Sequence, residues 1–558
     1  PALLDRLSGH RFDVLVVGAG INGAVAAATL AAGGARVALV DRGDFAGLTS
    51  QQSSNLIWGG VKYLQTHQWR LVRSLCVARN RLLRAYPTRI RSTPFLGVID
   101  RDAPVGRHLV GAGAALYWVL GGGRTRPPRV YGPRAAARVE PAIATSGLRG
   151  AVRYHDARLV DGDARFVWDF VAAARSRGAV ALNYVEVTDA ERGRTGWRVG
   201  MVDRSRPGTR LEAEAGLVVN AAGPLAPGLG ELLGVPVRHA LVLSKGVHLV
   251  VPRVVSPEHV VAMFDDDSRP FYVIPLHDRS VIGTTDTRAD GPDARVEPAE
   301  REFLLSQVNR RLALARPLTA ADVVAERAGV RPLVAPEQLG DERRRWLGSG
   351  LAPLLGGSRP TMLARPSPSR SDWLSLSRHH QVEVDRPRRV VTILGGKLTD
   401  CVNVGEEIRA LASGLGVELR SKALWYGESD FAYGTSRNWL VRRGTSVRHD
   451  GSGALMIDAL WRRQGARASE VVAAWRRDPA DAEEPYPGTG LSRAELRLIA
   501  ATEQVVTLAD LFRRRTFLAQ IRSADELRAN PFTAELARIV APDRPEAAVD
   551  ELAEELSV

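Results

Sequence analysis

The stretch Phe12–Asp41, FDVLVVGAGINGAVAAATLAAGGARVALVD, decides the fold. Phe12–Val17 is a short apolar run bounded by glycine, the pattern of a strand buried on both faces. It enters Gly18-Ala19-Gly20-Ile21-Asn22-Gly23, a G-x-G-x-x-G, and then an alanine-rich segment through Ala32 that reads as a helix. A second apolar strand, Arg36–Val40, ends in Asp41, 23 positions after Gly18. Gly18 permits a tight turn, Gly20 lets the backbone touch a pyrophosphate, and Gly23 lets the helix pack against the strand. The helix start offers unpaired N–H groups and a partial positive charge to phosphates. Asp41 stands where a ribose hydroxyl would be bound. The fold class is therefore α/β, with a Rossmann-type dinucleotide-binding domain.

Two later segments read as further backbone approaches to the same ligand. Leu217–Pro224, LVVNAAGP, is a buried strand ending in small residues, with Ala222 and Gly223 at the turn. Val390–Thr399, VVTILGGKLT, is a strand, a Gly395-Gly396 turn and the start of a helix running to Leu411, with Lys397 beside the turn. A helix start and a lysine there can face the negative charge that a reduced flavin develops at one edge. A ligand touched from both ends of the chain is long and extended, which favours FAD over NAD.

Between these segments, Asp161 reads as the N-cap of a helix over 162–177. Strands are expected at 183–187, 197–202, 211–215, 240–251 and 260–264, with a hairpin of 271–275 and 280–283. Together they suggest a mostly antiparallel sheet lying over the dinucleotide domain. Lys245, His248 and Arg331 are polar residues set in apolar strands. Such a histidine is ordinarily structural, and such an arginine ordinarily pairs with a carboxylate. Residues 335–371 are rich in Pro, Gly, Ser and Arg and read as a mobile surface insertion. Beyond about Val417 the pattern is helical, clearest at 454–464, 468–476, 492–503 and 507–519, and suggests a helical cap or a dimer element.

With 558 residues, several domains are required. Two cysteines, Cys76 and Cys401, exclude a disulfide framework, and no Cys/His cluster has metal-ligand spacing, so no metal is expected. No apolar run reaches the ~18–20 residues that span a bilayer, and the start shows no basic-then-apolar leader. The net charge of +14 suits anionic lipid, a phosphorylated substrate or simply a solvated basic surface; no nucleic-acid fold motif accompanies it.

One further stretch, Ser50–Tyr63, SQQSSNLIWGGVKY, sets Trp58 against Gly59 and Gly60. Paired glycines allow close approach to something flat. Taken with VVGAGINGA (16–24), YHDARLVDGDAR (154–165), VVNAAGP (218–224), SKGVHLVVPR (244–253), VIGTTDT (281–287), AGVRPL (328–333) and GGKLTD (395–400), the chain resembles the FAD-dependent, aerobic-type glycerol-3-phosphate dehydrogenases from Phe12 to about Leu411. The likeness continues more weakly through Glu503–Ala519, EQVVTLADLFRRRTFLA.

The resemblance implies a DAO/glutathione-reductase-like FAD-binding domain (10–90, 150–235 and 385–415), an antiparallel substrate domain (91–149 and 236–384) and a helical C-terminal domain (416–558). It implies non-covalent FAD bound by Gly18, Gly20, Ile21, Asn22, Gly23, Asp41, Arg42, Thr49, Ser50, Ser53, Ser54, Gly59, Gly60, Val185, Ala222, Gly223, Gly395, Gly396, Lys397, Leu398 and Thr399. Gly59 and Gly60 would lie against the isoalloxazine ring. Trp58, Lys62, Tyr63, Thr399 and Arg331 would lie near the substrate, with His248, Arg331 and Lys397 at the reacting centre. The implied reaction oxidises sn-glycerol 3-phosphate to dihydroxyacetone phosphate and passes electrons to quinone. The implied setting is peripheral, on the cytoplasmic face of a bacterial inner membrane, and a homodimer fits the helical tail.

The family usually reads S-S-K-L-I-H-G-G-x-R-Y where this chain has Asn55, Trp58 and Lys62. Trp58 has no acceptor nitrogen and Lys62 lacks the bidentate fork of an arginine. That leaves open a dehydrogenase or oxidase of another small hydroxy or amino compound, and the net charge of +14 leaves open a flavin-containing binding or regulatory protein.

Overall fold

The computed structural model describes residues 2–65, 67–101, 103, 105–265, 269–335, 379–428 and 453–557. The expected insertion at 335–371 lies, apart from Ala335, outside the described residues.

The first sheet runs in the order Gln381–Asp385, Val390–Leu394, Arg210–Asn220, Arg11–Val17, Val37–Val40, Val180–Leu182. Its inner strands are parallel and nearly all apolar, as burial on both faces requires. Helices Ile21–Ala32, Asp163–Ser176 and Cys401–Gly414 contribute to the cluster on one face. The other face is covered through Trp197, Val199 and Met201, packed with Leu15, Ala38 and Val40. Strand register decides where the turns emerge. Val17 pairs with Val40 and Asn220, and Asn220 pairs with Thr392. The three glycine turns therefore leave the same carboxyl edge of the sheet, where ligands of open α/β sheets bind.

The second sheet runs in the order Thr287–Arg288, Leu241–Pro252, Arg279–Gly283, Pro270–Leu276, Val260–Phe264, Ile90–Ile99, Gly150–Leu159, Leu56–Ile57, with Ala325–Val334 paired to Leu241–Pro252. Strand alternation divides Leu241–Pro252 between two layers. Val247, Leu249 and Val251 pack towards helix Pro298–Arg311. Val250, on the face of His248, packs in the cluster of the C-terminal helices. The helical tail is thus a cap on this sheet, joined to the rest by buried ion pairs: Arg165 with Glu503 (2.5 Å) and Asp161 with Arg462 (2.6 Å).

Four expectations are corrected. The strands Val185–Arg192, Trp197–Asp203 and Arg210–Asn220 belong to the first sheet, because Arg210–Asn220 is long enough to pair antiparallel at its start and parallel at its end. Gly150–Leu159, expected in the FAD-binding domain, pairs with Ile90–Ile99 in the second sheet. The helix cap is Gly162; Asp161 turns instead to Arg462. The helix expected over 507–519 is a π-helical turn, Asp510–Arg515, followed by Leu518–Ile521.

A side chain at position 23 would set its Cβ 1.8 Å from the Gly18 carbonyl oxygen. Gly23→Val should cost about 3 kcal/mol or more of stability through overpacking, read by urea unfolding; an unchanged midpoint would contradict the packing described.

Candidate active site

A cavity of about 740 Å³ opens at the carboxyl edge of the first sheet and extends beneath the second. That size is ample for a dinucleotide end and a small substrate. Of the candidates named from sequence, all but Gly23, Gly59 and Gly60 line it.

At the nucleotide end, Gly18 has φ +98°, and a Cβ there would stand 2.5 Å from the Ala221 carbonyl oxygen. The helix Ile21–Ala32 starts with Gly20 at its cap; its Ile21 N–H donates to Ser50 Oγ (3.0 Å). Asp41 accepts from the N–H groups of Ala19 (2.6 Å) and Gly43 (2.9 Å), which aims its carboxylate at the cavity wall. Burial pushes this carboxyl up to about 6. Asn220 shapes the second turn by accepting from Ala222 N–H (3.2 Å) and donating to the Ala226 carbonyl (2.8 Å).

The third turn is tied to the first directly: Asn22 Nδ2 donates to the Gly395 carbonyl (3.1 Å). Gly395 and Gly396 have φ of +64° and +92°, open to glycine at little cost. His380 clamps the turn from behind, with Nδ1 2.6 Å from Asp400 and Nε2 2.8 Å from Glu407. Burial disfavours its charge, but the two carboxylates outweigh this and raise its pKa. His379, His380 and Asp400 approach as metal ligands can, yet both His380 nitrogens are engaged by carboxylates. The group reads as an ion clamp.

At the opposite end, alternation puts Ser244, Gly246 and His248 on one face of Leu241–Pro252, and Arg331 pairs opposite Ser244. The Arg331 guanidinium lies over Gly246: a Cβ there would be 2.0 Å from its Nη2. Arg331 also donates to Thr284 Oγ1 (2.9 Å). His248 is buried, and its Nδ1 has no hydrogen-bond partner among the described residues. Burial, then Arg327 and Arg331, push its pKa well below the ordinary value, so it is a neutral imidazole at pH 7. Lys397 donates to Tyr63 OH (2.5 Å) and lies 4.7 Å from the Trp58 ring centroid. Trp58 stacks on Tyr63 at 5.8 Å and 26°, and its carbonyl accepts from Thr399 Oγ1 (3.1 Å).

Gly59 and Gly60 do not line the cavity and are closely packed by protein side chains. Gly59 N–H donates to buried Asp156 (3.1 Å), and a Cβ there would meet Tyr117 OH at 2.4 Å and Cys76 Sγ at 2.5 Å. Gly60 has φ +79° and turns Tyr63 back towards the cavity. Asn55 is also off the cavity wall: at φ +58° it accepts from Asp163 N–H (2.9 Å) and donates to Gln520 (3.1 Å). Neither cysteine lines the cavity. Sequence reasoning missed Arg269, Tyr154 and Tyr272 on the wall. Tyr272 carries a hydroxyl within the otherwise apolar strand Pro270–Leu276, a signal that alternation could have exposed; Tyr154 sits among the charged residues of Gly150–Leu159 and gives no such signal.

The family described as DAO, FAD dependent oxidoreductase, matches residues 13–361, well over half the chain. The chain belongs to this family. It is 35% identical over 337 residues to glycerol-3-phosphate dehydrogenase 2 of Mycobacterium bovis, covering 60% of this chain and 57% of that one. It thus spans little more than half the length of that curated relative. A glycerol-3-phosphate dehydrogenase of Synechocystis is 27% identical over 537 residues, covering 91% of this chain and 89% of its own. Among solved structures, a Bacillus halodurans glycerol-3-phosphate dehydrogenase complexed with FAD shares the fold at TM-score 0.72 and 24% identity, covering 100% of this chain and 96% of that one.

The cofactor is FAD, and the cavity fits it. Glycines at 18 and 20 leave the backbone open beside a helix N-terminus, where Asp41 would accept from ribose, and Lys397 and the Leu398–Asp400 turn would face the ring. Below about pH 6 the Asp41 carboxyl is protonated and loses acceptor strength. Release of FAD, followed by free-flavin fluorescence, should therefore quicken as pH falls from about 7 to 5. Asp41→Asn should release FAD about tenfold faster at neutral pH and show no such pH step; a variant that releases it no faster would contradict the assignment.

Proposed function

We propose that the chain oxidises sn-glycerol 3-phosphate to dihydroxyacetone phosphate and passes the electrons on to a quinone. The observation that carries this reading is the pairing of neutral, buried His248 with the Arg331 guanidinium at the end of the cavity remote from Asp41. Bound FAD supplies the hydride acceptor. His248 takes the C2 hydroxyl proton on an imidazole nitrogen, which its depressed pKa leaves free of a proton. Arg331, with Arg269 also on the wall, holds the phosphate by charge-assisted hydrogen bonds. Lys397 binds the C2 oxygen and balances negative charge at the ring edge. Phe95, Tyr154 and Tyr272 form a packed aromatic wall of the same cavity.

Anaerobic addition of glycerol 3-phosphate should bleach the flavin absorbance; an unchanged spectrum ends this reading. His248→Gln should keep its FAD and lose about 10²–10⁴-fold in kcat. Because the His248 pKa lies below the ordinary value of 6.5, the wild-type rate should show no histidine-like fall between pH 7 and 6.

One observation favours a second reading. Trp58 stands on the wall, stacked on Tyr63, with no acceptor nitrogen to offer. Bleaching by another small hydroxy or amino compound, and not by glycerol 3-phosphate, would select an oxidoreductase of that compound.

We propose further that the protein sits peripherally on an anionic membrane surface. No helix among the described residues is long and apolar enough to cross a membrane. Leu109, Leu116 and Val119 of helix Arg107–Leu120, with Val130, are exposed large apolar residues. The stretch 103–139 holds no acidic residue, and Arg124, Arg126, Arg129, Arg134 and Arg138 are exposed in it. Apolar residues rimmed by arginine suit an anionic bilayer surface. The protein should sediment with vesicles containing anionic phosphatidylglycerol and not with neutral ones, and Leu109→Asp with Val119→Asp should abolish this. Equal sedimentation of the double variant would place the contact elsewhere.

A further inference from the structure

The segment Glu503–Ala519 holds three consecutive arginines that the proposed reaction does not use. The π-helical turn Asp510–Arg515 directs two of them across the domain seam to Asp44. Arg514 Nε donates to Asp44 Oδ2 at 2.7 Å. Arg515 grips both oxygens, Nη1 to Oδ2 at 2.8 Å and Nη2 to Oδ1 at 2.7 Å. Asn183 Nδ2 completes the set at 2.8 Å. Asp44 is buried, as is Arg515. Asp44 belongs to the loop after Asp41. The inner side of that loop presents Arg42, Gly47, Leu48, Thr49, Ser50 and Gln52 to the FAD cavity.

The loop is therefore held from two sides. Arg514 reaches a second point on it, Gln51 Oε1, at 3.2 Å, and Gln51 in turn donates to the Gly47 carbonyl at 2.6 Å. On the inner side Ser50 accepts from Ile21 N–H at the start of the phosphate-facing helix. Ala46 N–H donates to the Ala19 carbonyl within the glycine turn itself (3.0 Å). A displacement of Asp44 would travel through these bonds to the first glycine turn. Arg514 has a second carboxylate partner in Asp510, whereas Asp44 is the carboxylate that Arg515 grips. Cutting the Asp44–Arg515 pair leaves a buried charge without compensation and so works against the loop's position.

We infer that Arg514 and Arg515 are positioning residues for FAD: the C-terminal helical domain holds the Asp41–Gln52 loop closed over the cofactor through Asp44. The inference rests on the family's FAD and is independent of the substrate. The C-terminal domain is then part of the cofactor site as well as a cap.

The test uses the holoprotein, diluted at pH 7.5, with FAD release followed by the rise in free-flavin fluorescence and unfolding followed separately by Tm. Asp44→Asn and Arg515→Lys are compared with Asp161→Asn. The last cuts a different buried pair in the same seam, Asp161 with Arg462, without touching the loop. Arg515→Lys keeps the charge, loses only the two-oxygen fork and guards against a failure to fold. Release should be about tenfold faster in Asp44→Asn and Arg515→Lys, with the Asp161→Asn rate near wild type despite its lowered Tm. Unchanged release in the first two variants, or equally fast release from Asp161→Asn, would overturn the inference and leave these arginines as seam packing only.

Discussion

At Gly23 the first helix comes so near the first turn that any side chain would place its Cβ 1.8 Å from the Gly18 carbonyl oxygen. That contact sets the start of helix Ile21–Ala32 at the carboxyl edge of the sheet, and the rest of the site is built outward from it. Because Val17, Val40, Asn220 and Thr392 are level in the register, the turns leaving those strands reach the same point. The Asn22–Gly395 hydrogen bond then joins residues far apart in sequence into one rim. The dinucleotide site is thus a consequence of parallel register and three places where the backbone carries no obstructing side chain.

The reactive end obeys a different constraint, electrostatics in a dry place. The second sheet and the helical cap bury His248 beside two guanidiniums, and burial together with those charges keeps its ring neutral. Gly246 makes room for Arg331 to lie flat over the same strand. A neutral imidazole and a guanidinium are thereby brought to the wall of one cavity, where the proposed reaction would use them as proton acceptor and anion-binding group. Deep in the same structure, Asp44 and Asp510 with Arg514 and Arg515 show the converse arrangement, two carboxylates matched to two guanidiniums across the seam.

That the glycine turns, Asp41, His248, Arg331 and Lys397 share one cavity was legible because each sits in a local pattern whose residue types have few other uses. Gly59 and Gly60 show the limit of such patterns: paired glycines announce close approach, but not to what, and the close neighbours here are Tyr117 and Cys76 at Gly59 and Tyr63 and Leu75 at Gly60. Asn55 looked like a change in the substrate motif, yet its left-handed backbone and its bonds to Asp163 and Gln520 make it a joint between domains. Arg514 and Arg515 could not be placed from sequence at all. Their partner, Asp44, lies more than 450 positions away, and no periodicity reports a pairing that only the tertiary fold creates.

A crystal structure of the FAD-loaded protein tests the central claim most directly. The account predicts one extended FAD with its ribose at Asp41, its pyrophosphate at the start of helix Ile21–Ala32 and its ring between the Gly395-Gly396 turn and His248. A cofactor bound with its ring away from His248 and Lys397, or touching only one of the three glycine turns, would contradict it.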